Sequence, residues 1–445
     1  MSLLPTRRLA IFAALLAVVL LAMPRDDVPV VASVVVLTML VLAVGLVDAL
    51  VGTSPGRVTV ARRHPPVVVV GDEARISWQV HSESRRRLRV GIADELAPSL
   101  GATARRAWVS VPPGGTVTVT ARIRPERRGR FELSHLALRI EGRLALGARQ
   151  REVPLHTVLR VHPPFRSRDE AELKIRRARI LQVGLRTARG LGGGTEFEQL
   201  REYGPDDEFR RIDWTATARA GRTIVRTYRA ERNQSVLVLL ENGRVMAGRV
   251  AGVPRVEHAM DAAMMLCAVA NGLGDRCGLV AFDTQVRAVV PPARRVDQVS
   301  RVTEAMFALE PELAESDYAG AFAQAVARFR RRTMLVLLTD LVDQAVEDSL
   351  LPALPLITRT HLVVVAAVRD PQVEAWADGT APIDDSEDPA EVVYRQAAAV
   401  ATLAARRRTV ARLRGRGVTV IDVAPGRLAS ELADAYLLVK SSGRL

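Results

Sequence analysis

The sequence predicts a mixed α/β protein: a doubly wound α/β domain preceded by a small β-sandwich and an N-terminal transmembrane helical hairpin. Two uncharged apolar segments lie within residues 1–56, and residues 57–164 alternate apolar and polar side chains with period two. Residues 235–445 alternate short apolar strands with helical segments, which is typical of a parallel sheet covered on both faces. Residues 165–234 form a basic connector and a charged motif, giving four predicted regions.

The two apolar segments cover residues 9–23 and 28–47, and the second is long enough to cross a bilayer. Arg7 and Arg8 precede the first segment, and Arg57 follows the second. The positive-inside rule therefore places both termini of the hairpin in the cytoplasm. We expect two transmembrane helices in the inner (cytoplasmic) membrane and the bulk of the chain in the cytoplasm. If the first segment were instead a cleaved signal peptide, the bulk would still face the cytoplasm.

The sandwich segment shows turn signals between its strands but no catalytic pattern, so we interpret it as a spacer or binding module. The connector that follows is basic and partly helical. It ends in a glycine run at residues 192–194, which we interpret as a flexible joint because no phosphate-loop motif follows it.

The predicted strands of the α/β domain end in polar and acidic residues. Ligands of doubly wound sheets gather at the carboxyl ends of the strands, which makes this edge a candidate site. The residues at these ends are Glu241, Asn242, Asp283, Thr339, Asp340 and Asp370.

Composition limits the function classes. The net charge is +14, and only Lys174 and Lys440 among the 63 basic residues are lysine. This bias is explained by a GC-rich genome, by a basic surface facing anionic lipid, or by nucleic-acid binding. Nucleic acid is not expected as a partner, because aromatic residues make up only 4% of the chain. Cys267 and Cys277 lack metal-ligand spacing and are predicted to be buried free thiols.

A dense mixture of acids, arginines and aromatics, "EFEQLREYGPDDEFRRIDWTATAR", covers residues 196–219. Arginine binds carboxylates in a planar, bidentate fashion, so these side chains can form a rigid belt that acts as a partner-binding or structural motif. We expect Tyr203 and Trp214 to dock on the α/β domain, and "GPDDE" to form a turn and a helix cap before "EFRRIDW". The candidate residues of this motif are Glu196, Phe197, Arg201, Tyr203, Asp206, Asp207, Arg210, Asp213, Trp214 and Arg219.

The order of this motif, from its Glu-Phe pair through Leu-Arg-x-Tyr to Arg-x-Ile-Asp-Trp and a following apolar strand, resembles the signature of the family named domain of unknown function 58. The segment "LALGARQ", residues 144–150, is similar to that family's closing sandwich motif. The resemblance implies a bacterial membrane-anchored protein with a von Willebrand factor A-like domain. It also implies a partner, an AAA+ ATPase of the MoxR type, with which such proteins assist the assembly or maturation of client proteins.

A von Willebrand factor A-like domain further implies a Mg²⁺ site, which maps onto Glu241, Ser316 and Asp340. Two hydroxyl ligands of that motif fall on Gly243 and Val245, whose side chains cannot coordinate a metal ion. We therefore expect a carboxylate-tipped sheet edge that holds no metal, and no cofactor.

The predicted function is a membrane-anchored, cytoplasmic protein-binding adaptor rather than an enzyme. One alternative is a membrane-bound hydrolase that uses the carboxylates of residues 196–213 for acid–base chemistry. The other is a basic nucleic-acid-binding protein, which would show steeply salt-dependent binding.

Overall fold

The computed structural model describes residues 2–22, 30–188, 196–205, 207–229, 234–382 and 388–442. Two compact units divide the chain, Met1–His162 and Pro163–Leu445. The predicted glycine joint at residues 192–194 and the motif residue Asp206 lie outside the described residues.

Among its described residues, the first unit has two α-helices and nine strands. The helices are α1 (Arg7–Ala22) and α2 (Val30–Val51). The strands are β1 (Ser2–Pro5), β2 (Val58–Arg63), β3 (Val67–Val69), β4 (Ala74–Ser82), β5 (Leu88–Asp94), β6 (Arg106–Val111), β7 (Thr116–Ile123), β8 (Gly129–Glu141) and β9 (Gly147–His162).

These strands form two sheets around one core. The three-stranded sheet has the order β2-β4-β7, and the other has the order β1-β9-β8-β5-β6 with β3 added in parallel beside β9. Alternate side chains of each strand point inward, so Ile76 and Trp78 of β4 meet Val90 of β5 and Leu138 of β8 in a shared core. This alternation of inward and outward side chains explains the period-two pattern of the sequence.

The helical hairpin is fixed to the turn between β8 and β9. The buried Asp48 carboxylate of α2 accepts hydrogen bonds from the backbone N–H groups of Leu144 (2.8 Å), Leu146 (2.9 Å) and Gly147 (3.1 Å). A Cβ on Gly147 would lie 2.1 Å from the carbonyl oxygen of Gly45, so only glycine fits there. The predicted motif "LALGARQ" thus supplies the backbone N–H groups that bind a carboxylate of the hairpin.

Both helices expose apolar side chains. Ile11, Leu15 and Val18 of α1 are 60–63% exposed, and Val36 and Met39 of α2 are 68% and 66% exposed. Within the described residues one segment, Ala32–Arg57, is long and apolar enough to cross a membrane.

In the described part of the second unit there are twelve helices and ten strands, several of them very short. The strands are β10 (Glu196–Glu202), β11 (Ile224–Arg229), β12 (Ser235–Glu241), β13 (Arg249–Val250), β14 (Val253–Pro254), β15 (Arg276–Phe282), β16 (Val286–Ala293), β17 (Met334–Leu338), β18 (Leu362–Val368) and β19 (Thr419–Val423). The helices are α3 (Arg168–Ala188), α4 (Trp214–Ala220), α5 (Arg244–Ala247), α6 (Arg255–Gly272), α7 (Gln298–Met306), α8 (Tyr318–Arg328), α9 (Asp343–Ala345), α10 (Leu351–Ala353), α11 (Pro355–Thr358), α12 (Pro371–Ala377), α13 (Pro389–Gly415) and α14 (Leu428–Ser441).

A six-stranded sheet with the order β16-β15-β12-β17-β18-β19 organises this unit. Its strands run parallel except β16, which pairs antiparallel with β15 at one edge. Both faces are covered: Val236, Val238 and Leu240 of β12 enter one core, and Leu237 and Leu239 enter the other. The continuous apolar strands of the sequence follow from this double burial. Cys267 and Cys277 are buried and free, as predicted.

Candidate functional site

The carboxyl ends of the parallel strands bring together a buried cluster around Glu241. One carboxylate oxygen of Glu241 accepts a hydrogen bond from the hydroxyl of Ser316 at 2.8 Å. The other accepts hydrogen bonds from the hydroxyls of Tyr318 (2.8 Å) and Thr339. The ends of β12 and β17 and the start of α8 supply these side chains, because parallel strands end at the same edge of the sheet.

The surroundings of Glu241 disfavour the charged form of its carboxyl. It is only 2% exposed, and this burial raises the pKa of its carboxyl. The three hydroxyl hydrogen bonds oppose that rise, and the charge of Asp340 adds to it. Burial, followed by the charge of Glu241, also raises the pKa of Tyr318 well above its usual value, so Tyr318 stays a hydrogen-bond donor.

Asp340 belongs to a separate ion-pair network at the same edge. Its side chain contacts Arg406 of α13 (2.8 Å) and Arg255 of α6 (3.1 Å). Arg406 also contacts Asp422 of β19 at 2.9 Å and donates to the carbonyl of Val368 at the end of β18 (3.2 Å). One guanidinium therefore links the carboxyl ends of three neighbouring strands.

The residues at this edge do not fit a Mg²⁺ ion. A Cβ on Gly243 would lie 2.1 Å from the Ser316 hydroxyl oxygen, so Ser316 fills the space beside Glu241 that a side chain at position 243 would need. Arg255 and Arg406 engage Asp340 instead. No group of three or more His, Cys, Asp or Glu side chains within the described residues is arranged to hold a metal ion. Of the three residues onto which the Mg²⁺ site was mapped, Glu241 is hydrogen-bonded to Ser316. Asp340, the third, forms ion pairs with Arg255 and Arg406.

The other acidic strand ends have structural partners. Arg287 donates to both carboxylate oxygens of Asp283 at 2.7 Å. Asp370 caps α12 by accepting a hydrogen bond from the backbone N–H of Gln372 at 3.0 Å.

The charged motif forms a β-ribbon rather than an irregular loop. Strand β10 pairs antiparallel with β11, and the Asp207 carboxylate accepts two hydrogen bonds from Arg201 at 2.6 and 2.8 Å. Asp207 also accepts from the backbone N–H of Gly204 at 2.7 Å, and its own carbonyl accepts from the hydroxyl of Tyr203 at 3.2 Å. Of the arginines and aspartates predicted to form the belt, Arg201 and Asp207 form an ion pair in the described part of the motif.

The helix cap differs from the prediction. Asp207 folds back on Arg201, a 3₁₀ turn covers Phe209–Arg211, and α4 begins only at Trp214. Asp213 caps α4 by accepting from the backbone N–H of Ala216 at 3.0 Å, and it pairs with Arg226 of β11 at 2.7 Å. The hydrogen bond from Arg226 lowers the pKa of Asp213. A cross-strand arginine, invisible at short sequence spacing, therefore takes the place of the predicted partners.

The expectation that Trp214 docks on the α/β domain is wrong. Trp214 is 61% exposed and makes an edge-to-face contact with Phe209, which is 69% exposed; their ring centroids lie 5.7 Å apart. Tyr203 is half-buried against its own turn. The Phe209–Trp214 pair is an outward-facing aromatic surface.

The remaining motif residues take simple positions. Arg210 and Arg219 are exposed. In β10 the backbones of Glu196 and Phe197 pair with Arg229 and Tyr228 of β11.

Several residues of these two sites were not predicted. Arg255, Arg406 and Asp422 lie far apart in sequence and meet only through the strand order. The exposed position of Phe209 could have been predicted from the sequence, because it is an apolar ring inside a charged stretch.

One family model matches this chain. The family described as "Protein of unknown function DUF58" matches residues 199–412, from within β10 to near the end of α13. The matched segment, slightly less than half of the chain, contains most of the β-ribbon and most of the parallel sheet. The predicted resemblance to this family is therefore confirmed for that segment, and the match does not include the hairpin or the sandwich.

Curated relatives come from mycobacteria. An uncharacterized protein of Mycobacterium bovis is 27% identical over 265 residues, which covers 57% of this chain and 81% of the relative. Two uncharacterized proteins of Mycobacterium tuberculosis give the same identity and coverage.

Likeness to solved structures is low. The CARDB domain of a Pyrococcus furiosus protein has a TM-score of 0.17 at 13% identity, covering 24% of this chain and 94% of that domain. Proximal thread matrix protein 1 from the mussel byssus has a TM-score of 0.28 at 10% identity, covering 48% of each chain. At these scores neither likeness carries an argument about fold or function.

Proposed function

We propose that this protein is a membrane-anchored adaptor whose β-ribbon binds a protein partner. The observation that carries the proposal is the exposed Phe209–Trp214 pair. Large aromatic side chains dominate the energetics of protein interfaces. Exposing two adjacent aromatic rings to water is unfavourable for a monomer and marks an interaction surface. Two ion pairs tie the segment between the strands to the ribbon, because Arg201 of β10 pairs with Asp207 and Arg226 of β11 pairs with Asp213.

The charge states of the motif support binding over hydrolysis. A general acid needs a carboxyl whose pKa is raised toward neutrality, but the pKa of Asp213 is lowered by Arg226. Asp207 is held by Arg201 and by the Gly204 N–H. Both carboxylates are held by hydrogen bonds from arginine and from the backbone, so their substitution would loosen the ribbon.

Several features support the anchor and the domain type. Two apolar helices precede the sandwich, and the second can span a bilayer, so we propose a two-span hairpin with the bulk of the chain in the cytoplasm. The parallel sheet with its acidic carboxyl edge is compatible with a von Willebrand factor A-like domain. For that domain type the partner we propose is an AAA+ ATPase of the MoxR type, with client assembly or maturation as the outcome.

Co-purification tests this proposal. We would solubilise tagged full-length protein from membranes of its own host and identify retained proteins with and without ATP and Mg²⁺. The test variant is Phe209→Ser with Trp214→Ser, and the matched control is Tyr394→Ser, which removes an aromatic ring that is 77% exposed on α13. We expect the wild type and the control to retain an AAA+ ATPase and the test variant to lose it. Equal retention by all three would place the contact elsewhere, and nuclease-sensitive retention of nucleic acid would favour the nucleic-acid alternative.

A further inference from the structure

The turn between β8 and β9 lies beside the last two turns of α2. The Asp48 carboxylate of α2 accepts hydrogen bonds from the backbone N–H groups of Leu144 and Gly147 in this turn. A Cβ on Gly52 would lie 3.3 Å from the Cα of Gly142, so the chain and the turn are still in contact just past the end of α2. The turn therefore lies at the level at which the predicted membrane span ends.

The start of α1 is fixed to the same turn. The hydroxyl of Thr6 donates to the carbonyl of Leu146 at 3.0 Å, and the backbone N–H of Thr6 donates to the same carbonyl at 3.1 Å. Arg7 and Arg8 follow as the first residues of α1, and both are exposed. Arg143 is exposed within the turn itself. One small region of the first unit thus carries three exposed arginines, which we call the arginine collar (Arg7, Arg8 and Arg143).

The acids beside the collar have other partners. The Asp48 carboxylate is buried and is bound to the N–H groups of the turn. Glu141, at the end of β8, lies 3.4 Å from Arg89. In the part of the chain that the structure describes, the three arginines of the collar form no ion pair. The collar therefore keeps its positive charge available for a ligand from outside the chain.

An apolar side chain also projects from the turn. Leu144 is 62% exposed, although it follows Arg143 in a tight turn where a polar residue is usual. The exposed surface of α2 stays apolar to its end, since Leu50 is 50% and Val51 is 63% exposed. A leucine and arginines together suit the boundary between acyl chains and headgroups, because the leucine enters the acyl region while the guanidinium groups stay at the phosphates.

We propose that the arginine collar binds the phosphate groups of anionic phospholipids, with Leu144 inserted among the adjoining acyl chains. Guanidinium groups bind phosphate oxygens in a planar, bidentate fashion, and basic clusters directly beside a membrane span attract anionic lipid. This contact would hold the turn, and with it the sandwich, at the level of the headgroups. The inference rests on the proposed membrane anchor and goes beyond it by naming the lipid class and the residues that select it.

The lipid selectivity of the full-length protein tests this proposal. We would reconstitute the protein into phosphatidylcholine vesicles that contain a trace of spin-labelled phosphatidylglycerol or, in parallel, of spin-labelled phosphatidylcholine. Electron paramagnetic resonance then measures the fraction of each label that the protein immobilises. We expect phosphatidylglycerol to be preferred by about fivefold or more, since a single arginine at a membrane surface contributes a factor of about five in binding to anionic lipid.

Two triple variants separate the collar from the overall charge of the chain. The test variant carries Arg7→Gln, Arg8→Gln and Arg143→Gln. The matched control carries glutamine at three other exposed arginines of the sandwich, Arg75, Arg105 and Arg122. Arg75 pairs with Arg122 near the start of β4, whereas the end of β4 pairs with the start of β2, the strand that follows the hairpin. Both variants lose the same charge, and we expect only the test variant to lose the preference for phosphatidylglycerol.

Three outcomes would overturn the proposal and leave the anchor intact. Equal immobilisation of both labels by the wild type would mean that the collar selects no lipid. Equal loss of the preference in both variants would assign it to net charge. Disappearance of the preference when inorganic phosphate replaces chloride at the same ionic strength would assign the collar to free phosphate. If neither label were immobilised and alkaline extraction removed the protein from the vesicles, the membrane anchor itself would fail.

Discussion

The absence of a side chain at Gly243 allows Ser316 to bind Glu241 at the carboxyl edge of the sheet. Ser316 occupies the space into which a Cβ at position 243 would project, and its hydroxyl binds Glu241 from there. Hydroxyl donors thus surround the carboxylate where a metal site would present ligands. These hydroxyls satisfy the carboxylate of Glu241, and the expectation from the sequence that this edge holds no metal ion stays a prediction.

Gly243→Ala should therefore lower the free energy of unfolding by about 1–3 kcal/mol, because the added methyl group forces Ser316 away from Glu241. Urea unfolding of the full-length protein in detergent measures this. Gly415→Ala is the matched control, since nothing lies within 4 Å of its Cβ position and alanine suits a helix better than glycine. Equal destabilisation by both changes would contradict the packing argument.

The raised pKa of Glu241 predicts a pH dependence of stability. A carboxyl whose folded-state pKa lies above its unfolded value holds its proton longer in the folded state, so its contribution to stability is lost as the pH rises through the folded pKa. Asp340 contributes in the same direction because its negative charge disfavours a second one at Glu241.

We expect wild-type stability to fall relative to Glu241→Gln as the pH rises above the usual range of a glutamate, since the glutamine carries no charge at any pH. Urea midpoints of both proteins between pH 4 and pH 8 provide the measurement. Parallel curves for the two proteins would show that Glu241 keeps the same protonation state on folding.

At the scale of elements, the hairpin and the sandwich are joined by one buried carboxylate. Asp48 accepts three backbone hydrogen bonds from the turn between β8 and β9, and the hydroxyl of Thr6 donates to the carbonyl of Ala145 in the same turn at 2.5 Å. Strand β1 then pairs with β9. Such a junction holds the helices and the sandwich in one arrangement.

Asp48→Ala should lower the stability of the first unit by about 2 kcal/mol, because it leaves three N–H groups of the turn, two part-buried and one buried, without their acceptor. Thermal unfolding followed by tryptophan fluorescence measures this in a protein that keeps Trp78, which is 1% exposed in the sandwich core, and carries phenylalanine at its three other tryptophan positions. Asp72→Ala removes an exposed turn carboxylate and is the control. If both variants unfolded at the same temperature, the hydrogen bonds to the Asp48 carboxylate would contribute nothing to the stability of this unit.

At the scale of the whole molecule, local patterns predicted the elements well and long-range partners poorly. The alternation of short apolar strands and helical segments predicted for residues 235–445 appears as the six-stranded sheet and its covering helices, because burial on both faces leaves a clear signal. The Arg226–Asp213 pair and the Arg406 network were missed because they join residues brought together only by strand pairing. The strand pairing of β1 was also missed, since four residues before an apolar helix carry no period.

The proposed topology predicts which positions reach the cell exterior. A cysteine in place of Asp26, between the two apolar segments, should react with a membrane-impermeant maleimide in intact cells. Cysteines in place of Ser2 and Gly56, before and after the hairpin, should react only after permeabilisation, because the positive-inside rule keeps both in the cytoplasm. Reaction of Asp26→Cys only after permeabilisation would contradict the two-span hairpin.

The central claim, that the ribbon binds a protein partner, is tested most directly by a photo-crosslinking amino acid at position 209 in the full-length protein in living cells. Phe209 is 69% exposed, so the probe leaves the ribbon intact and faces whatever covers it. We predict one discrete adduct that contains an AAA+ ATPase, with no such adduct from the same probe at Tyr394. Adducts with lipid or nucleic acid, or none from a protein that still folds, would contradict the adaptor.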